Sequence, residues 1–137
     1  MTTPKEVALQ FAKDLMNAVC GVPGNPFETL HPEIEMRHPK LGIMKGLDSV
    51  IQVLGPAIAE RWKILPNNGW YPVEAIEEGD RVCLVAMGKC EGLLSNTPYN
   101  NTYMMMMTIR DGKIVLMDEC YDSSVVERSG WNVHLEW

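Results

Sequence analysis

The stretch from Tyr99 to Asp122, YNNTYMMMMTIRDGKIVLMDECYD, decides the fold. Its two halves are rich in residues that suit a pleated, half-buried surface. Between them Arg110-Asp111-Gly112-Lys113 is a hairpin signal, because glycine takes the positive φ of a tight turn without steric penalty. Two long antiparallel strands follow from this reading, about Tyr99 to Arg110 and Lys113 to Asp122. Upstream, Glu78-Gly79-Asp80 marks another turn, joining strands of about Trp70 to Glu77 and Arg81 to Glu91. The C-terminal half therefore reads as a four-strand meander.

Toward the N-terminus the apolar period changes from two to between three and four. Thr3-Pro4-Lys5-Glu6 carries an N-cap, a proline at the first helical position and a glutamate three residues after the cap, the pattern of a capping box. Val7, Ala8, Phe11, Ala12, Leu15, Met16 and Val19 then form one apolar stripe, which ends before Gly21-Val22-Pro23-Gly24. Asn25-Pro26 caps a short helical turn through Leu30, Glu33 to Arg37 alternates as a short strand, and Gly42 to Gly46 reads as a loop. A second helix opens at Leu47-Asp48-Ser49 and carries Val50, Ile51, Val53, Leu54, Ala57, Ile58 and Trp62. Gly55-Pro56 inside it predicts a bend, and Pro66-Asn67-Asn68-Gly69 closes the helical region. Helices followed by an antiparallel meander make a single α+β domain over residues 1–137, with a strongly curved sheet wrapped around the helices.

Composition narrows the partners. Of 137 residues 46% are apolar and 22% charged, enough for both a core and a solvated surface. Twelve Lys+Arg against eighteen Asp+Glu leave a net charge of −6 with no basic cluster, which argues against nucleic acid. The nearly uncharged runs around Val50 to Ala59 and Asn96 to Ile109 fall short of the ~20 apolar residues of a spanning helix, so no membrane partner is expected. Met1-Thr2-Thr3-Pro4-Lys5-Glu6 lacks a basic start before an apolar core, and a cytoplasmic location is the expectation. Cys20, Cys83, Cys90 and Cys120 are widely spaced, with no Cys-x-x-Cys and no nearby histidine, so they read as reduced, buried thiols and no metal site is expected.

The order of elements, together with Leu30-His31-Pro32-Glu33, Lys45-Gly46-Leu47-Asp48, Tyr99-Asn100-Asn101-x-Tyr103 and Asp111-Gly112-Lys113-Ile114, resembles the nuclear-transport-factor-2-like superfamily of the SnoaL-like type. The resemblance runs from about Pro4 to Val126. It implies a cone-shaped α+β barrel enclosing an apolar cavity, in a group that includes polyketide cyclases, ketosteroid isomerases, dehydratases and epoxide hydrolases. Strand parity then decides which side chains face the cavity. Matching the motifs puts Met36 and His38 inward on the short strand, and Ala86, Gly88 and Cys90 inward on the second long strand. It also puts Asn101, Tyr103, Met105 and Met107, then Met117, Glu119 and Tyr121, inward on the last two.

Three of these residues form the candidate catalytic set. His38 falls where the resemblance implies an aspartate base or a polar water-holding residue, and a histidine there moves protons near neutral pH. It reads equally as a strand-end histidine bonded to a backbone carbonyl. Glu119 is either a second acid/base group, the group that orients His38, or a structural carboxylate. Tyr103 with Asn101 could hold a substrate carbonyl or its enolate oxygen, or the tyrosine could simply fill the barrel. Met36, Trp62, Trp70, Cys90, Met105, Met117 and Tyr121 complete the substrate-binding set, although methionines and aromatics at such spacings also build cores. The arginine and aspartate that epoxide hydrolases of this fold use are matched by Ala86 and Gly88, which argues against that reaction.

The resulting expectation is a small, cofactor-independent isomerase, cyclase or dehydratase acting by proton transfer on a hydrophobic carbonyl compound. Its rival is a non-catalytic ligand-binding or scaffold protein. A homodimer is expected through the outer face of the meander, on which Val82, Leu84 and Met104 are placed.

Overall fold

The computed structural model describes residues 2–19, 23–39, 41–63, 69–92, 98–122 and 124–125. Helix α1 spans Pro4–Val19 and begins as its capping box predicts. The Glu6 amide donates to Thr3 Oγ1 at 3.2 Å, and the Thr3 amide donates to Glu6 Oε2 at 2.7 Å, so two of the helix's orphan donors are satisfied reciprocally. A turn of 3-10 helix at Pro26–Thr29 follows, capped by Asn25. Then come β1 (Leu30–His38), β2 (Gly42–Lys45), α2 (Leu47–Arg61), β3 (Trp62–Lys63), β4 (Gly69–Glu78), β5 (Arg81–Gly92), β6 (Pro98–Arg110) and β7 (Lys113–Cys120).

The seven strands form one sheet in the order β2-β1-β7-β6-β5-β3, with β4 also paired to β5. The sheet is curled rather than closed. Among the described residues every pairing is antiparallel except that of β1 with β7. This parallel contact inserts the N-terminal strand beside the last one, with Met36 opposite Met117 and Arg37 opposite Asp118. The residues read as a loop at 42–46 instead supply β2, which forms a hairpin with β1. Gly42 takes φ 75° at its start and Gly46 φ 89° just after its end, so the two glycines bracket a short edge strand. Helix α2 runs on through Pro56, and the two-residue β3 was not foreseen. The closing Pro66-Asn67-Asn68 lies outside the described residues.

The core lies between the concave face of the sheet and the helices. Val7, Ala8, Phe11 and Ala12 of α1 and Val50 of α2 are buried against Ile34, Met36, Val82, Leu84, Ala86, Met105, Met107, Ile114 and Met117. Full burial of each large side chain stabilises the fold by roughly 1.5–3 kcal/mol. Val82 and Leu84 are therefore core residues and not part of the outer face. They share the parity of Ala86, and on a strand with period two all three must face the same way. The odd positions face outward, which leaves Cys83 half-buried; on β7 Cys120 is exposed, so neither thiol is buried as expected. No helix among the described residues is long and apolar enough to cross a membrane.

Candidate functional site

At the end of β1 the chain delivers His38 to the concave side, 7% exposed, two residues after the fully buried Met36. Its Nδ1 accepts a hydrogen bond from the backbone amide of Leu41 at 3.0 Å, across the connection to β2. Its Nε2 faces Glu119 on β7, 3.5 Å from Oε2. Glu119 is brought there by the parallel register, one step beyond the Arg37–Asp118 pair, and its side chain is only 14% exposed. The neighbouring Arg37 and Asp118 point to the opposite face, where Arg37 bonds Glu35 at 2.8 Å and Asp118 at 3.5 Å.

Burial sets the electrostatics. Withdrawal from water pushes the Glu119 carboxyl up to about 7 and the His38 imidazole down to about 4. At neutral pH the contact is thus one between an uncharged imidazole and a carboxyl group near its midpoint, and not an ion pair.

Two tyrosines complete the wall. Tyr121, just past β7, has its ring centroid 5.2 Å from that of His38 and 5.6 Å from that of Tyr103, both tilted. Tyr103 is buried on β6. Met105 lies opposite Glu119 in the β6–β7 register, and Met36, Met105 and Met117 are all about 1% exposed, so they form the apolar floor beneath the pair. The side chains of Trp62, Trp70 and Cys90 lie outside the described residues, although their backbones belong to β3, β4 and β5. A surface cleft between α1 and the β6–β7 turn, lined by Gln10, Asp14, Glu28 and Lys113, contains none of these residues.

Asn101 is buried too, but its carboxamide acts on the backbone. Oδ1 accepts from the amides of Thr102 at 2.9 Å and Asp122 at 3.0 Å, while Nδ2 donates to the Asp122 carbonyl at 3.0 Å. The β6–β7 ladder reaches Met104–Cys120, and beyond it this side chain takes over the pairing. Asn101 therefore clamps the segment that carries Tyr121. Sequence reasoning missed this clamp and the Leu41 amide, since both involve backbone groups that have no residue-type signal.

Known proteins share this arrangement of strands and helices. An NTF2-like protein of Burkholderia thailandensis superposes with a TM-score of 0.76 at 16% identity, over 95% of this chain and 98% of that one. A protein of Jannaschia assigned as a SnoaL-like polyketide cyclase gives 0.73 at 17%, over 93% and 91%. A ketosteroid isomerase-like fold from Catenulispora acidiphila, in complex with trimethylamine, gives 0.73 at 18%, over 99% and 100%. These likenesses establish the fold alone. No curated protein is detectably similar. The model of the SnoaL-like domain matches residues 27–117, from the 3-10 turn to the middle of β7, and with this match over most of its length the chain belongs to the SnoaL-like domain family.

Proposed function

We propose that the protein is a cofactor-independent enzyme that moves a proton on a hydrophobic, carbonyl-containing small molecule, in the manner of an isomerase, cyclase or dehydratase. The observation that carries this reading is the contact of His38 with Glu119, two titratable groups 3.5 Å apart above an apolar floor. Strongly shifted groups that share one desolvated site are the usual mark of acid/base chemistry. Tyr103 is the third member of the set, on the oxygen side of the substrate. The assignment of one structural neighbour as a SnoaL-like polyketide cyclase fits the same chemistry.

The proposed enzyme is a cytoplasmic homodimer. A reducing compartment fits the free thiols Cys83 and Cys120. The dimer is supported by the outer sheet face, where Ile76 pairs with Cys83 and Cys83 with Met106, and where Met104 is 52% and Ile76 60% exposed.

Mass spectrometry of small molecules retained through gentle purification, followed by incubation of the occupied protein in D2O, tests the enzymatic reading. An apolar carbonyl compound that gains deuterium next to its carbonyl is the expected result. A retained compound that never exchanges would favour a binding protein instead.

A further inference from the structure

The hydrogen bond between Leu41 and His38 fixes where the proton of the imidazole sits. A backbone amide can only donate, so the Nδ1 it reaches at 3.0 Å is the unprotonated nitrogen. A neutral ring in this position carries its hydrogen on Nε2, the atom that faces Glu119. We propose that His38 is held by the Leu41 amide as a neutral Nε2–H donor, which makes Glu119 the proton acceptor and His38 the group that polarises the substrate's oxygen. This reverses the expectation that His38 is the base, and it rests on the acid/base reading of the site.

The reaction balances with these groups alone. The Glu119 carboxylate takes a proton from carbon next to the substrate carbonyl; that C–H bond breaks and an O–H bond forms on Glu119. The electron pair moves through the carbon to the carbonyl oxygen, and the resulting enolate accepts the hydrogen bond from Nε2–H. Return of the proton to the same carbon restores the carbonyl and regenerates the carboxylate; in a β,γ-unsaturated ketone, return to the γ-carbon instead moves the double bond into conjugation and completes an isomerisation.

A neutral imidazole suits this role because it strengthens its bond as charge develops without giving up the proton. At 3.5 Å the Nε2 to Oε2 contact is longer than the 2.7–2.9 Å of a tight charge-assisted bond, so Glu119 itself does not hold the Nε2–H tightly. The substrate class narrows accordingly. Glu119 must be ionised to act, it lies over the apolar floor of Met36, Met105 and Met117, and a second negative charge near the carboxylate would raise the cost of ionisation. A neutral apolar ketone is therefore preferred over a keto acid.

Two measurements decide the matter. Nitrogen-15 NMR of the whole protein should show His38 with an unprotonated Nδ1 and a protonated Nε2 at neutral pH. The opposite tautomer, or an imidazolium, would overturn the proposal. The second is deuterium uptake by 1-tetralone in D2O. Glu119→Gln and His38→Leu should each slow exchange by about a hundredfold or more, the scale of a lost base or a lost oxyanion donor. His38→Gln, which restores an N–H donor but no base, should recover at least tenfold of that loss, on the scale of a single oxyanion donor. Recovery no greater than that of His38→Leu would make the imidazole a base and sink the assignment. Wild-type protein that fails to exchange any ketone would count against the enzymatic reading itself, while the NMR result would still decide the state of His38.

Discussion

His38 and Glu119 stand two residues beyond Met36 and Met117, a register pair of the parallel β1–β7 ladder, and they meet with Nε2 3.5 Å from Oε2. The pairing of the first strand with the last is what joins them, since 80 positions of sequence separate the two groups. In parallel strands, side chains that start level stay level, so the inward methionines that fill the core also set the height of the titratable pair.

The pair gives the fold a pH dependence that cancels in the native protein and appears in single variants. Glu119 is raised from 4.5 to about 7, so its contribution to stability is fully present below 4.5 and is lost as pH rises toward 7. His38 is lowered from 6.5 to about 4, so its contribution is lost as pH falls from 6.5 toward 4. Each effect is of order 3 kcal/mol, and between 4.5 and 6.5 they oppose one another. Denaturant melts of Glu119→Gln should therefore weaken on acidification across that range relative to wild type, and those of His38→Gln should weaken as pH rises. Parallel profiles for all three proteins would mean that burial shifts neither group.

Loss of the Asn101 clamp should loosen the end of β7. Asn101→Leu leaves the Asp122 amide and carbonyl without their side-chain partner. A drop of roughly 1–3 kcal/mol in unfolding free energy is expected, with faster hydrogen exchange at the Asp122 amide. Unchanged protection at Asp122 would show that the clamp contributes nothing.

The β6–β7 turn depends on Gly112 through backbone conformation alone. Its φ is 73°, that of Asp111 is 54°, and a side chain at Gly112 would meet no atom within 4 Å. Gly112→Val should lower stability by roughly 1–3 kcal/mol through strain at positive φ, and Gly112→Asn by much less. Thermal melts that rank the two variants equally would contradict this.

The proposed dimer is tested at Met104, 52% exposed on the outer face. Light scattering should give twice the chain mass for wild type and the chain mass for Met104→Glu, because a buried unpaired carboxylate disfavours association. A monomeric wild type across a wide concentration range would dispose of the dimer.

Much of this was legible in the sequence, and the gaps have physical causes. Period-two alternation, its phase set by the family resemblance, placed Met36, Asn101, Tyr103, Met105 and Met117 on the concave side, where all are buried. The same rule, applied consistently, would also have put Val82 and Leu84 inside with Ala86. Strand β2 escaped because four residues between glycines carry little periodic signal, and only pairing with β1 makes them a strand. The clamp by Asn101 and the lock on His38 were out of reach, since each joins a side chain to a backbone group whose position is set by tertiary structure.

The account stands most directly on the carboxyl of Glu119. Carbon-13 NMR titration of that carboxyl in the intact protein should give a midpoint of about 7, accompanied at the same pH by a shift of the His38 ring resonances 3.5 Å away. A midpoint near 4.5, with His38 unmoved through it, would mean that Glu119 is solvated and uncoupled from the imidazole, and the proton-transfer site would not exist.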